Sequence, residues 1–210
     1  MEIYWLGNGC FRIRGREATV LTDPTPPASG YKIGRVAADL VTISSNNPDS
    51  NYRQAVQGET KFITGPGEYE IAGVLITGTR TNHGRDGSDT RNVAFVFDID
   101  DLRVCHLGSI NHVPSADDVE ILGAADVLLV PIGGSGTLDT ARAAETISVL
   151  EPKIVIPMRY KTEAATADLE SVDKFLKEMG AEGKQPENRL SLTKSNVPAD
   201  MSVVLLDSRG

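Results

Sequence analysis

Three stretches of the chain carry side chains suited to acid–base, nucleophilic or ligating chemistry. The first is Ser44-Ser45-Asn46-Asn47-Pro48-Asp49-Ser50-Asn51, small and mostly polar residues that follow an apolar run. Its one carboxylate, Asp49, is the only general base on offer there, and the rest is good turn and cap chemistry. The second is His106-Leu107-Gly108-Ser109-Ile110-Asn111-His112. A serine between two histidines invites a nucleophile reading, yet the G-x-S-x-G elbow is absent. Two histidines in this short segment, with His83 as the third of the chain, make a case for a polar cleft. The third is Pro131-Ile132-Gly133-Gly134-Ser135-Gly136-Thr137. Gly-rich turns can cradle phosphates with backbone N–H groups, but neither G-x-x-x-x-G-K-[ST] nor G-x-G-x-x-G is present, and no lysine stands ready. A tight turn with Thr137 or Asp139 capping the next helix is the simpler reading.

Metal chemistry is poorly supplied. The chain has three histidines and two cysteines, and no HxH, HxxxH or HExxH spacing. A zinc site usually takes three or four ligands from Cys, His, Asp and Glu. Cys10 and Cys105 form no CxxC pair, and each sits in an apolar run, so both read as buried free thiols.

The elements that must position these residues are mostly strands at first. Ile3–Leu6 and Cys10–Arg14 flank Gly7-Asn8-Gly9, which has the Asn-Gly chemistry of a hairpin. Strand patterns follow at Thr19–Thr22, Leu40–Ser44, Phe62–Thr64, Glu68–Ile71 and Val74–Thr79. Val93–Ile99 and Arg103–Leu107 flank Asp100-Asp101, a second hairpin. The second half then alternates strand and helix. Ser115 and Asp118 suit the N-cap and N3 positions of a helix that Gly123 stops. Val127–Val130 and Ile154–Met158 read as strands buried on both faces. Helices are predicted over Leu138–Leu150 and Ala167–Met179, the latter with Gly180 at C′. Leu190–Leu192 and Val203–Leu206 close the chain as strands. One domain spanning residues 1–210, with sheet inside and helices outside, follows from this order.

Composition narrows the function. Of 210 residues, 40% are hydrophobic and 24% charged, as in ordinary globular proteins rather than disordered ones. Lys and Arg number 21 against 29 Asp and Glu, a formal net charge of −8 that disfavours nucleic acid and anionic membrane surfaces as partners. No apolar run approaches the roughly 20 residues of a membrane helix. The first residues lack the basic and apolar regions of a secretory signal, so a cytoplasmic location is expected.

Taken in order, these motifs resemble the metallo-β-lactamase superfamily, and within it the compact bacterial metal-dependent hydrolases related to the ascorbate-phosphate lactonase type. Trp5-Leu6-Gly7-Asn8-Gly9-Cys10-Phe11 resembles that group's opening W-L-G-H-x-C-F, and Leu21-Thr22-Asp23-Pro24 its L-x-D-P. Gly65-Pro66-Gly67-Glu68-Tyr69-Glu70-Ile71 and Pro131-Ile132-Gly133-Gly134 resemble further stretches of it. The resemblance implies an α/β fold, a four-layer αββα sandwich, with loops from both sheets meeting two metal ions at one edge. There a metal-bound hydroxide attacks an ester, lactone, amide or phosphoester.

Carried over residue by residue, the ligand pattern is largely absent. The group's H-x-H-x-D-H falls on Ser45, Asn47, Asp49 and Ser50, and its middle histidine on His83. Its bridging aspartate falls on Ser109 and its last histidine, in P-M-H-Y, on Arg159. Even the opening histidine is Asn8. Of these seven ligand positions only Asp49 and His83 keep a ligand type. The resemblance therefore implies a binding or scaffold member with a degenerate metal site, in which no cofactor is expected. Asp23, His106 and His112 join Asn8 as supporting residues of the cleft. The alternative is an active hydrolase rebuilt around His83 and Asp49, metal-free or with one weakly bound divalent metal such as zinc. The partner is an unknown small molecule or protein, and a homo-oligomer is compatible with the sequence. Arg159, in place of the last histidine, is expected to pair with Asp49, directly or through one water.

Overall fold

The computed structural model describes residues 1–81 and 91–209. His83 lies outside the described residues. In chain order the strands are β1 (Glu2–Gly7), β2 (Cys10–Arg14), β3 (Thr19–Thr22), β4 (Val36–Ala37), β5 (Leu40–Thr42), β6 (Val56–Gln57) and β7 (Lys61–Ile63). They continue with β8 (Gly67–Ile71), β9 (Val74–Arg80), β10 (Val93–Ile99), β11 (Leu102–His106), β12 (Val127–Pro131), β13 (Ile154–Met158), β14 (Leu190–Ser191) and β15 (Ser202–Val203). Three α-helices are α1 (Ala116–Leu122), α2 (Thr140–Leu150) and α3 (Val172–Glu178).

Two sheets form. A six-stranded sheet has the order β14-β1-β2-β3-β5-β7 and a seven-stranded sheet the order β15-β13-β12-β11-β10-β9-β8. The antiparallel halves are made by short hairpins: Asn8-Gly9 joins β1 to β2, and Asp100-Asp101, both at positive φ, joins β10 to β11. The parallel halves, β3-β5-β7 and β11-β12-β13-β15, need crossovers, and those between β11 and β13 carry α1 and α2. β12 and β13 are buried at every position, as their unbroken apolar runs require of strands covered on both faces.

Alternation along the strands sorts the core. Ile3, Trp5, Phe11, Ile13, Val20 and Leu40 turn toward the seven-stranded sheet, where Phe11 meets the His106 ring edge-on at 6.2 Å between centroids. The same core continues through Leu122, Ala143, Ile147, Leu150 and Phe175 of the helices. On the other face of the six-stranded sheet, Leu6, Cys10, Leu21, Val41 and Ile43 form a second cluster with Val36, under the β4–β6 ribbon. The layers therefore run helices, seven-stranded sheet, six-stranded sheet and β4–β6 ribbon, the α/β sandwich of two stacked sheets with the ribbon as outer cover on the N-terminal side.

Local chemistry sets the helix ends. Ser115 and Asp118 make a reciprocal capping box at α1, whose C-cap is Gly123. Asp139, not Thr137, caps α2 by accepting the Arg142 N–H at 2.9 Å. The helix predicted over Ala167–Met179 begins only at Val172. Residues before it are held by the sheet edge instead. Glu170 N–H donates to Gly133 O at 3.0 Å, the Lys161 N–H donates to Glu170 O at 2.8 Å, and the Thr140 hydroxyl reaches the Glu170 carboxylate at 3.0 Å. Backbone donors spent in that way cannot open a helix, so tertiary bonds override the periodicity.

Candidate functional site

The strand ends at one edge of the sandwich bring together residues far apart in sequence. At the tip of the β1–β2 hairpin, Gly7 has φ 111° and Asn8 φ 52°. A Cβ on Gly7 would lie 2.2 Å from the Tyr31 ring, so only glycine fits. The turn aims the Asn8 amide at the first polar loop: Nδ2 donates to Asp49 O at 3.3 Å. Gly9 O accepts from the Thr22 hydroxyl and pairs with His106 Nε2, both at 2.9 Å.

Asp23 directly follows β3 and is only 1% exposed. Its N–H donates to Thr42 O at 2.9 Å. Its carboxylate accepts the Ser44 N–H at 2.7 Å and the Ser44 hydroxyl at 2.6 Å. Charge arrives from the other half of the chain. Arg159 follows β13 directly, at φ 54°. Its carbonyl oxygen lies 2.0 Å from where a Cβ on Gly133 would stand, so Gly133 is what lets the backbone turn there. The side chain is 8% exposed. Nη2 donates to Ser50 Oγ at 2.5 Å and lies 3.6 Å from Asp23 Oδ2. Burial lowers the affinity of the guanidinium for its proton, while the charges of Asp23 and then Asp49 oppose that fall; an arginine so paired stays charged.

This corrects one expectation. The ion pair of Arg159 is with Asp23, and Asp49 acts on it only through longer-range attraction. The reason is local. Asn47 caps the short turn Pro48–Ser50 by accepting the Asp49 N–H at 3.0 Å, and that turn buries Ser50 while Asp49 stays half-buried.

His106 is fully buried at the end of β11. Burial pulls its pKa below the usual histidine range, and the nearby Asp23 charge and the Gly9 bond only partly oppose this. The ring is therefore neutral, with the proton on Nε2, because a carbonyl oxygen can only accept. Nδ1 has no partner. This histidine stitches the hairpin of one sheet to the other. His112 stands apart: its Nδ1 meets Asn111 Oδ1 at 3.0 Å, and it does not line the cleft described next. Ile110 O accepts the Leu138 N–H at 3.0 Å, which ties this loop to the approach of α2 and leaves His112 outside.

A cleft of about 480 Å³ opens here, and Ser45, Asn47, Arg91, Ser109, Thr137 and Arg159 are among its lining residues. The Gly-rich turn supplies one wall while closing on itself, with the Thr137 N–H on Gly134 O at 3.0 Å. Asn92, which sequence reasoning passed over, holds another wall in place. Its Nδ2 donates to Thr81 Oγ1 and Leu107 O, and its Oδ1 accepts the Ser109 N–H at 2.7 Å. The only signal was a polar residue just before the apolar run of β10. Ser44, read as part of a plain turn, is the other residue missed. A larger hollow of about 580 Å³, lined by Asp98, Asp100, Arg103 and Lys194 among others, shares no residue with this cleft.

The donor set can be tested against a divalent metal. Among the described residues no three His, Cys, Asp or Glu side chains come together as ligands. What converges is hydroxyl, amide and guanidinium, with the Arg159 cation lodged between Asp23 and Ser50. Neutral oxygen donors suit zinc poorly, and a fixed cation repels another. The described residues do not fit the group.

Comparison with known proteins matches this geometry to a family. Residues 2–159 match the family described as Beta-lactamase superfamily domain. A Thermotoga maritima protein of the metallo-beta-lactamase superfamily, solved at 2.00 Å resolution, superposes with a TM-score of 0.82 at 36% identity, covering 98% of this chain and 97% of that one. A Pyrococcus horikoshii protein named a UPF0173 metal-dependent hydrolase is 33% identical over 193 residues, 77% of this chain and 85% of its own. A Pyrococcus furiosus UPF0173 protein is 31% identical over 198 residues, 84% and 90% of the two chains. From its strand order, its convergent loops and these likenesses together, the chain belongs to the metallo-β-lactamase superfamily.

Proposed function

We propose that this chain is a binding member of the superfamily, one that holds a ligand in the Arg159 cleft instead of hydrolysing it at a metal centre. The observation that carries the reading is the buried set Asp23–Arg159–Ser50, an internal cation with its own counter-ion at the strand edge. Ser45, Asn47, Ser50, Ser109 and Arg159 stand where the superfamily's motifs have ligands, and they leave Asp49 and His83 as the only ligand types of that set. Such an arrangement is electrically complete without added cations. A small molecule or a protein segment is the ligand class, and the net charge of −8 argues against nucleic acid. Two buried free thiols suit a cytoplasmic protein, and no helix among the described residues is long and apolar enough to cross a membrane.

The name of the Pyrococcus horikoshii relative favours a second reading, hydrolysis at a site rebuilt around Asp49 and His83 with one divalent metal or none. Metal analysis of protein purified after growth with added zinc separates the two. The binding reading expects well under one equivalent of zinc, iron and manganese together. A stoichiometric metal that survives gel filtration overturns it.

A further inference from the structure

We propose that the cleft takes a compact oxyanion, a carboxylate or phosphoryl group, between Arg159 Nη1 and the Ser109 hydroxyl; the inference rests on the binding reading above and names its ligand class. Three observations carry it. First, the fold leaves donors unspent. Arg159 Nη2 is committed to Ser50 and Asp23, and Nε is buried without an acceptor. Among the described residues Nη1 makes no hydrogen bond, and Arg159 lines the cleft. Second, Ser109 Oγ is buried with no partner, in the wall of the same cleft. An unmet buried hydroxyl costs stability, and natural structures rarely keep one without use. Its position is no accident of a loose loop: Asn92 holds its N–H at 2.7 Å, and Gly108, at φ 63°, leaves no room for a Cβ against Asn92 and Ser44. Third, among the described residues Arg159 brings a cation to a lining that holds no carboxylate. Asp23 and Asp49 lie behind or beside the guanidinium and do not line the space.

A planar guanidinium edge meets a carboxylate or phosphoryl oxygen with charge-assisted hydrogen bonds. The serine then donates to a second oxygen. Among the described residues the rest of the lining, apart from Arg91, is Ser, Asn and Thr with Pro48 and Gly136 and no large apolar side chain, so the body of the ligand is small.

Inorganic phosphate and malonate are the probes, titrated by calorimetry into the full chain at constant ionic strength, with sodium chloride as the control. Saturation by phosphate alone assigns a phosphoryl ligand and saturation by malonate alone a carboxylate; either supports the inference. Ser109→Ala is expected to weaken the saturating anion about tenfold at an unchanged or higher melting temperature, because its hydroxyl holds nothing in the fold and its unmet burial is relieved. Ser109→Asp, which puts a negative charge in the wall, is expected to abolish binding. Four results overturn the inference: no saturation by either probe below about 10 mM, equal heats with chloride, equal affinity in both variants, or binding that vanishes when a chelator removes a metal. A metal-free protein that ignores both anions overturns this inference alone, whereas stoichiometric metal overturns the binding reading itself.

Discussion

Replacing Arg159 by Met tests the centre of the site. Methionine keeps most of the buried stem and removes the charge, so the loss reports the ion pair more than the packing. Asp23 is then left 1% exposed without its counter-ion. At the observed 3.6 Å separation, with an effective dielectric constant near 20, the attraction forgone is about 4–5 kcal/mol. Breaking a buried pair from one side typically costs about 3–5 kcal/mol. Asp23 keeps the Ser44 N–H and hydroxyl bonds at 2.7 and 2.6 Å, which offset part of the loss. We therefore expect Arg159→Met to lower stability by about 3 kcal/mol in urea denaturation at pH 7 with an unchanged m-value. Asp23→Asn removes the other charge and turns an amide donor toward the guanidinium. The double variant is expected to lose at least about 1.5 kcal/mol less than the sum of the singles, since the two side chains are in contact. Asp49→Asn is the control and is expected to cost under about 1 kcal/mol, as for a half-exposed charge. An Arg159→Met loss under about 1 kcal/mol, strict additivity, or a larger cost at Asp49 than at Asp23 would each refute the Asp23–Arg159 pairing.

Three further outcomes follow. Gly133→Ala places a Cβ 2.0 Å from Arg159 O, a backbone atom that cannot swing aside, so a loss of at least about 2 kcal/mol is expected in the same urea assay. His106 is buried with its pKa lowered, so the unfolded chain binds the proton more readily than the folded one and stability falls as pH drops below about 6.5. If the folded ring stays neutral, this group alone removes about 1.4 kcal/mol at pH about 5.5, and His106→Gln should flatten that part of the pH profile; an unchanged slope counts against a neutral His106. Burial pushes the Cys105 thiol up to about 12 and Cys10 higher still, so neither should react with a thiol reagent at pH about 8 until denaturant is added.

Much of the strand order was legible because its signals are local. Apolar runs rich in Val, Ile and Phe gave β2, β3 and β10 to the residue, the Asn8-Gly9 and Asp100-Asp101 pairs gave both hairpins, and Ser115 with Asp118 gave the start of α1. The β4–β6 ribbon was not legible, since two-residue strands carry no periodicity and pair only once Val36 and Val56 cover the outer cluster. The start of α3 failed for a similar reason: Glu170 is claimed by Gly133 and Thr140, neither of them a neighbour in sequence. At the site, residue types indicated which positions would meet but not how they would bond. Asp49 and Asp23 are both carboxylates on loops of the same edge, and only the Asn47 cap and the Ser44 bonds decide which of them faces Arg159. His83 lies outside the described residues, so its part in the sequence reading stands as an expectation.

The pairing of Arg159 with the N-terminal loops also sets a timetable. Ser50 and the arginine that bonds it are 109 residues apart. At a synthesis rate of about 5–20 residues per second, the six-stranded sheet waits roughly 5–20 seconds before that guanidinium exists. Through that interval a ribosome-bound chain can lay β3 beside β5, but it must bury Asp23 unpaired or hold the edge open to water. Its outer strand waits longer, because β1 gains its far neighbour only from β14. The nascent sheet is thus kept apart from its final packing by the order in which its charges emerge, and the second half of the chain, when it arrives, brings the cation as well as the opposing sheet.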